Sequence, residues 1–198
     1  MNKFRVLLVL LLCSTVTLQG CSVSQFSAVL NEVEPAIVTI LQIVALVKGT
    51  TADLSPATKV GGDIANIEKI YGDWQTASAA AKPGIEAQLN VLFDTLNNDL
   101  APIFSIAQVN NTNVQAKVTA FIALIQTAVN IAEAVIPATA KRFGTNAPVK
   151  MDAETLVKSW NNILVAKTGN AMVDNYTPHH KLHYHGLFVR TITVGHAQ

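Results

Sequence analysis

Cysteine is nearly absent from this chain. Two occur in 198 residues, Cys13 and Cys21, both near the start. Nothing beyond residue 21 can form a disulfide or a thiolate metal site, so any fold there rests on its core alone. Charge is scarce too, at 14% of residues against 50% hydrophobic, with a formal net charge of +1. There is no basic cluster of the kind that tracks a phosphate backbone, which excludes an ordinary nucleic-acid surface. A glycine-rich phosphate loop, a Gly-x-Ser-x-Gly elbow and a His-Glu-x-x-His pair are all missing. With no catalytic constellation in view, the chain reads as non-enzymatic. Long apolar runs are missing as well. The longest in the body of the chain, AIVTILQIVALV, falls short of the roughly 20 residues a spanning helix needs.

What is present begins with a leader. Lys3 and Arg5 precede the apolar run VLLVLLL, and LQGC follows where a cleavage site belongs. Leu18, Gly20 and Cys21 resemble the lipobox of bacterial lipoproteins, with Gln19 as the one departure from the commoner pattern. The resemblance covers about the first 22 residues and no more. It implies that residues 1–20 are removed and that Cys21 becomes a lipid-modified N-terminus. Ser22 follows, and absence of Asp there implies outer-membrane sorting, facing periplasm or surface, if the cell is Gram-negative. The plainer alternative is a secreted chain cut nearby, with Cys21 a free thiol. Loss of the leader takes Lys3 and Arg5 with it and turns the formal charge from +1 to −1. Residues 21–25 then form a linker to the membrane, and envelope proteins are the expected partners.

Helical spacing dominates residues 26–169. A first helix is expected over 26–47, broken near Val33–Glu34 by Pro35 and ended by Gly49. A second runs from Pro56, with Ser55 as cap, to about Ala81, and Pro83-Gly84 makes the turn after it. The third carries the stripe Ile85, Leu89, Leu92, Phe93, Leu96, Leu100, Ile103, Phe104 and Ala107, with a kink near Asn98 ahead of Pro102. The fourth, over 113–136, has an apolar half and a polar strip of Gln115, Thr119, Gln126, Asn130 and Glu133. The fifth, over 153–167, has Asp152 as cap, a staple of Met151 and Leu156, and Gly169 to close it. The loop 137–150 separates it from the first four. The expectation is an all-α, up-and-down bundle of four to five helices in one domain, with an irregular or short-strand tail over 170–198. Glu32 and Glu34 read as a solvated turn beside the anchor, Glu133 as an edge carboxylate. Trp74 and Trp160 read as core, with a ligand pocket as the alternative.

The tail holds the one unusual stretch, His179-His180-Lys181-Leu182-His183-Tyr184-His185, with four of the five histidines in the chain. Neutral imidazole is a common metal ligand. His179 and His183 share a face as helix, and His183 and His185 share one as strand. His196 or Asp174 could complete a site for Zn, Cu or Ni. The plainer reading is a polar tail in which histidine clusters by chance and no cofactor binds. After it, LFVRTITV has strand composition, and Phe188, Val189, Ile192 and Val194 are candidates to pair with a partner's sheet. It could equally hairpin onto residues 180–184. Three functions follow: a lipid-anchored structural or protein-interaction module, a carrier of an apolar ligand between helices, or a metal-binding protein.

Overall fold

The computed structural model describes residues 23–136, 153–177, 182–185 and 188–191. The leader, Cys21, the 137–150 loop, Met151 and Asp152, His179, His180, His196, Ile192 and Val194 lie outside the described residues. The described chain is all-α in class. Its helices are α1 (Val23–Leu30), α2 (Val33–Lys48), α3 (Ser55–Thr76), α4 (Lys82–Ile106), α5 (Thr112–Ala134), α6 (Ala153–Val165) and α7 (Ala171–Tyr176). Two four-residue strands follow, β1 (Leu182–His185) and β2 (Phe188–Thr191). They pair antiparallel, His183 opposite Arg190 and His185 opposite Phe188, and β1 lies against α6.

The break between α1 and α2 falls at Asn31–Glu32, two residues ahead of the expected place. Proline explains the shift. Pro35 has no N–H to give, so it fits best in the first turn of a helix, and α2 starts at Val33 to put it there. Thr39 sits one turn on, and its hydroxyl donates to the Pro35 carbonyl at 2.9 Å. Gly49 closes α2 with φ of 67°, and the next amide, Thr50, reaches back to Ala45.

Helix α3 ends at Thr76, earlier than expected, and its first turn holds Ser55 and Pro56. Its cap is not the Ser55 side chain; Asp53 Oδ1 accepts from the Ser55 amide at 3.0 Å instead. Pro83 and Gly84 lie inside α4 and not in a turn, because proline again suits the opening of a helix. Helix α4 then continues unbroken through Pro102, whose ring faces solvent. Asn111 caps α5, accepting from Asn113 and Val114. Helix α6 ends at Val165, before Gly169, and α7 is an element absent from the expected layout; Gly169, φ 77°, turns the chain between them.

Pairing directions follow from particular contacts. Lys59 meets Asp99 and Trp74 meets Glu86, so α3 and α4 run antiparallel. Lys117 meets Leu164 and Phe121 meets Trp160, so α5 and α6 do too. Glu34 lies against Gly61 while Phe26 stacks on Tyr71, which sets α1 and α2 antiparallel to α3. The core is continuous across these pairs. Ile37, Ile40, Ile43, Ile67, Leu89, Leu96, Phe93, Phe121 and Trp160 are among its fully buried members.

Among the described residues, two stretches are long and apolar enough to cross a membrane, Phe26–Lys48 and Thr112–Ala134. The first exceeds the twelve-residue run read from sequence because α1 and α2 together supply the length. Within the fold 67% and 44% of their most apolar windows are buried against other helices.

Candidate functional site

The end of the domain that adjoins Cys21 is built by aromatic rings. Val23 opens α1 two residues after the cysteine, and Phe26 is already core at 2% exposure. Its ring stacks on Tyr71 with centroids 3.8 Å apart and meets Phe93 edge-on at 6.5 Å. Tyr71 stacks in turn on Trp74 at 5.7 Å. The Trp74 indole N–H donates to Glu86 at 3.0 Å, and the Lys82 ammonium lies 4.5 Å above its ring. Trp74 is half-buried, while Trp160 is core at 1% exposure.

Further along, polar groups are set into the apolar interior. Glu32, expected in solvent, is 5% exposed. The reason is the break: residues 31 and 32 leave the helix, and the inward phase of Val29 and Ala36 carries Glu32 with it. Its Oε2 has no hydrogen-bond partner, and burial pushes its carboxyl up to about 7. A cavity of about 10 Å3 adjoins it, lined by Val33, Ala36, Leu124, Ile125, Ala128, Leu156 and Trp160. That is room for about one water. Glu68 on α3 faces the same break, where Ser27 and Asn31 donate to it. Glu133, expected at an edge, is 4% exposed and accepts from Asn97 of α4 at 2.8 Å.

Lys117 is the buried cation of α5. Its ammonium donates to the Leu164 carbonyl at 2.9 Å and to the Thr177 hydroxyl at 3.0 Å, so it caps the C-terminal end of α6 and holds the start of the tail. Burial lowers its pKa. Composition hid this residue, yet its position showed it: Lys117 lies three after Val114 and four before Phe121, on the apolar face. At the α3–α4 seam, Asp99 takes an ion pair with Lys59 at 2.7 Å and a hydrogen bond with Asp63. Burial and the Asp99 carboxylate raise Asp63 to about 6, so the two acids share a proton in mild acid. An open groove of about 440 Å3 lies beside this seam, lined by Asn66, Lys69, Ile70, Gln88, Val91 and Leu92.

Among the described residues there is no group of three His, Cys, Asp or Glu side chains fit for an ion; His179, His180 and His196 lie outside them. Asp174 has another task. Its Oδ1 accepts from the Thr168 amide and hydroxyl at 2.8 and 2.9 Å, its Oδ2 from the Gly169 amide at 3.0 Å. The carboxylate therefore ties the α6–α7 turn, and these hydrogen bonds hold its pKa low. His183 and His185 belong to β1, and Phe188 and Val189 to β2, whose backbones pair with each other. Compared with protein-family models, curated proteins and solved structures, the chain matches none.

Proposed function

We propose that this chain is a lipid-anchored, non-enzymatic module of a bacterial cell envelope, held to the membrane through Cys21 and acting by protein interaction. The helices then form an up-and-down bundle standing on that membrane. The antiparallel pairs α3–α4 and α5–α6 support the arrangement.

One observation carries the reading. The lipobox-like LQGC abuts a helix that starts at Val23 and enters the core at Phe26. A leader that ends where the fold begins can be removed without cost to the fold. The fold's engaged polar groups support a scaffold over an active site, because buried Lys117 and Glu133 and half-buried Asp174 each tie two elements together. A carrier of apolar ligands draws less support. The described core cavity holds about 10 Å3, against several hundred for a typical ligand site, and the groove of about 440 Å3 is open to solvent and does not enclose a ligand.

The test is detergent phase partitioning of the full chain and of Cys21→Ser, followed by cross-linking of the envelope fraction. The reading expects the wild type in the detergent phase, the variant in the aqueous phase, and a defined cross-linked partner. A wild type that partitions like Cys21→Ser contradicts it.

A further inference from the structure

The register of α1 on α3 decides which end of the domain meets the bilayer. Phe26 is level with Tyr71, through their stacked rings. From Phe26 back to Val23 is three residues, and from Tyr71 on to Trp74 is three residues in the antiparallel direction. Each step advances about 4.5 Å along its helix, so Trp74 is level with the start of α1. Helix α3 then continues to Thr76, and the turn Ala77–Ala81 leads into Lys82 of α4. That turn stands beyond the level of Val23, at the end where α1 begins.

The tether is short. Only Ser22 lies between Cys21 and Val23, a reach of at most about 7 Å from Cα to Cα. The headgroup layer on each side of a bilayer is itself roughly 5–8 Å deep. With acyl chains on Cys21 in the hydrocarbon, so short a reach holds the start of α1 close to that layer, and a turn that projects past it comes closer still. The chemistry of the turn fits the place. Ala79, Ala80, Ala81 and Pro83 are exposed, small and uncharged, so nothing there resists entry. Lys82 is the one charged residue from Trp74 to Ile85. Trp74 is half-buried behind the turn, its indole N–H held by Glu86 and its ring beneath Lys82, so it stiffens the face and keeps Lys82 at its edge.

We propose that the α3–α4 turn, Ala77–Lys82 with Trp74 behind it, is a docking face for the lipid headgroup layer, with Lys82 meeting phosphate. This rests on the lipidation of Cys21 proposed above. It adds an orientation: the α4–α5 turn at Gln108 points away from the membrane.

The experiment uses the full chain, processed in cells and reconstituted into vesicles of phosphatidylethanolamine and phosphatidylglycerol. Ala80→Cys and, separately, Gln108→Cys carry an environment-sensitive fluorophore; both positions are exposed, so neither label disturbs the core. The expected result is a several-fold rise in emission at position 80 on reconstitution, quenched by brominated lipid, with position 108 unchanged. Equal responses at the two positions in a protein whose mass shows the lipid on Cys21 overturn the orientation and leave the anchor standing. A mass that shows no lipid overturns both. Hydrogen exchange on the unlabelled protein gives a second reading: slower exchange over residues 77–82 in vesicles than in Cys21→Ser supports the face, and identical exchange contradicts it.

Discussion

Phe26 and Tyr71 lie ring on ring, centroids 3.8 Å apart and planes 20° from parallel, and so join α1 to the middle of the core. Phe26→Ala removes one of these rings and a buried side chain, and should destabilise the domain by about 3–5 kcal/mol. Urea denaturation checks the figure. A loss under about 1 kcal/mol would mean that α1 is dispensable to the fold.

Glu32 gives a pH dependence of known sign. Its folded carboxyl is raised to about 7 by burial, above the ordinary 4.5. The folded state therefore holds the proton more tightly than the unfolded one. The contribution is fully present below about 4.5 and is lost as pH rises through about 7. The ceiling, from the size of the shift, is about 3 kcal/mol. Glu32→Gln should flatten the stability profile over this window and exceed wild type at pH above about 7. Parallel profiles for the two proteins would place the Glu32 carboxyl in solvent.

Gly61 and Gly62 make a matched pair on α3. A Cβ at Gly62 meets nothing within 4 Å, whereas one at Gly61 runs into the Glu34 carboxylate. Alanine gains up to about 1 kcal/mol over glycine inside a helix. Gly62→Ala should show that gain in thermal unfolding, and Gly61→Ala should not. Combining Gly61→Ala with Glu34→Ala should recover part of it. Equal gains at both glycines would mean that the Glu34 carboxylate does not rest against Gly61 tightly enough to exclude a methyl group.

Lys117→Met keeps the length of the stem and deletes the donor to Leu164 and Thr177. Thr177 retains a bond to the Val173 carbonyl, so the loss falls on the Leu164 carbonyl. A cost of about 1–3 kcal/mol is expected. Hydrogen exchange should quicken at the end of α6 and in α7 while α3 and α4 are unaffected. Uniform quickening would mean that Lys117 does not act locally.

Periodicity read the long helices well. The stripes Val60–Ile64–Ile67–Tyr71 and Leu89–Phe93–Leu96–Leu100 are buried as spaced, because a 3.6-residue period needs no tertiary information. Boundaries at proline were harder. The sequence marks Pro35 and Pro83 as breakers, but a proline opening a helix and one ending a helix look alike until the preceding turn is seen. Helix α7 is six residues long, too short for any period to register, and rests on Asn170 and Asp174 holding its entry. Glu32 reads as solvated and Glu133 as an edge carboxylate of the polar strip, yet both are buried, at inward spacing beside Val29 and Val129. The proposed anchor rests on a linear signal, LQGC. The proposed docking turn rests on the register of Phe26 on Tyr71, which no sequence pattern carries.

The central claim is that Cys21 is the lipid-bearing N-terminus of the mature protein. Mass spectrometry of the N-terminal peptide from the envelope fraction tests it most directly. The account predicts a peptide that begins at Cys21, lacks residues 1–20 and carries the mass of a diacylglyceryl group. A peptide with an unmodified thiol at Cys21, or one that still contains LQGC intact, would contradict it.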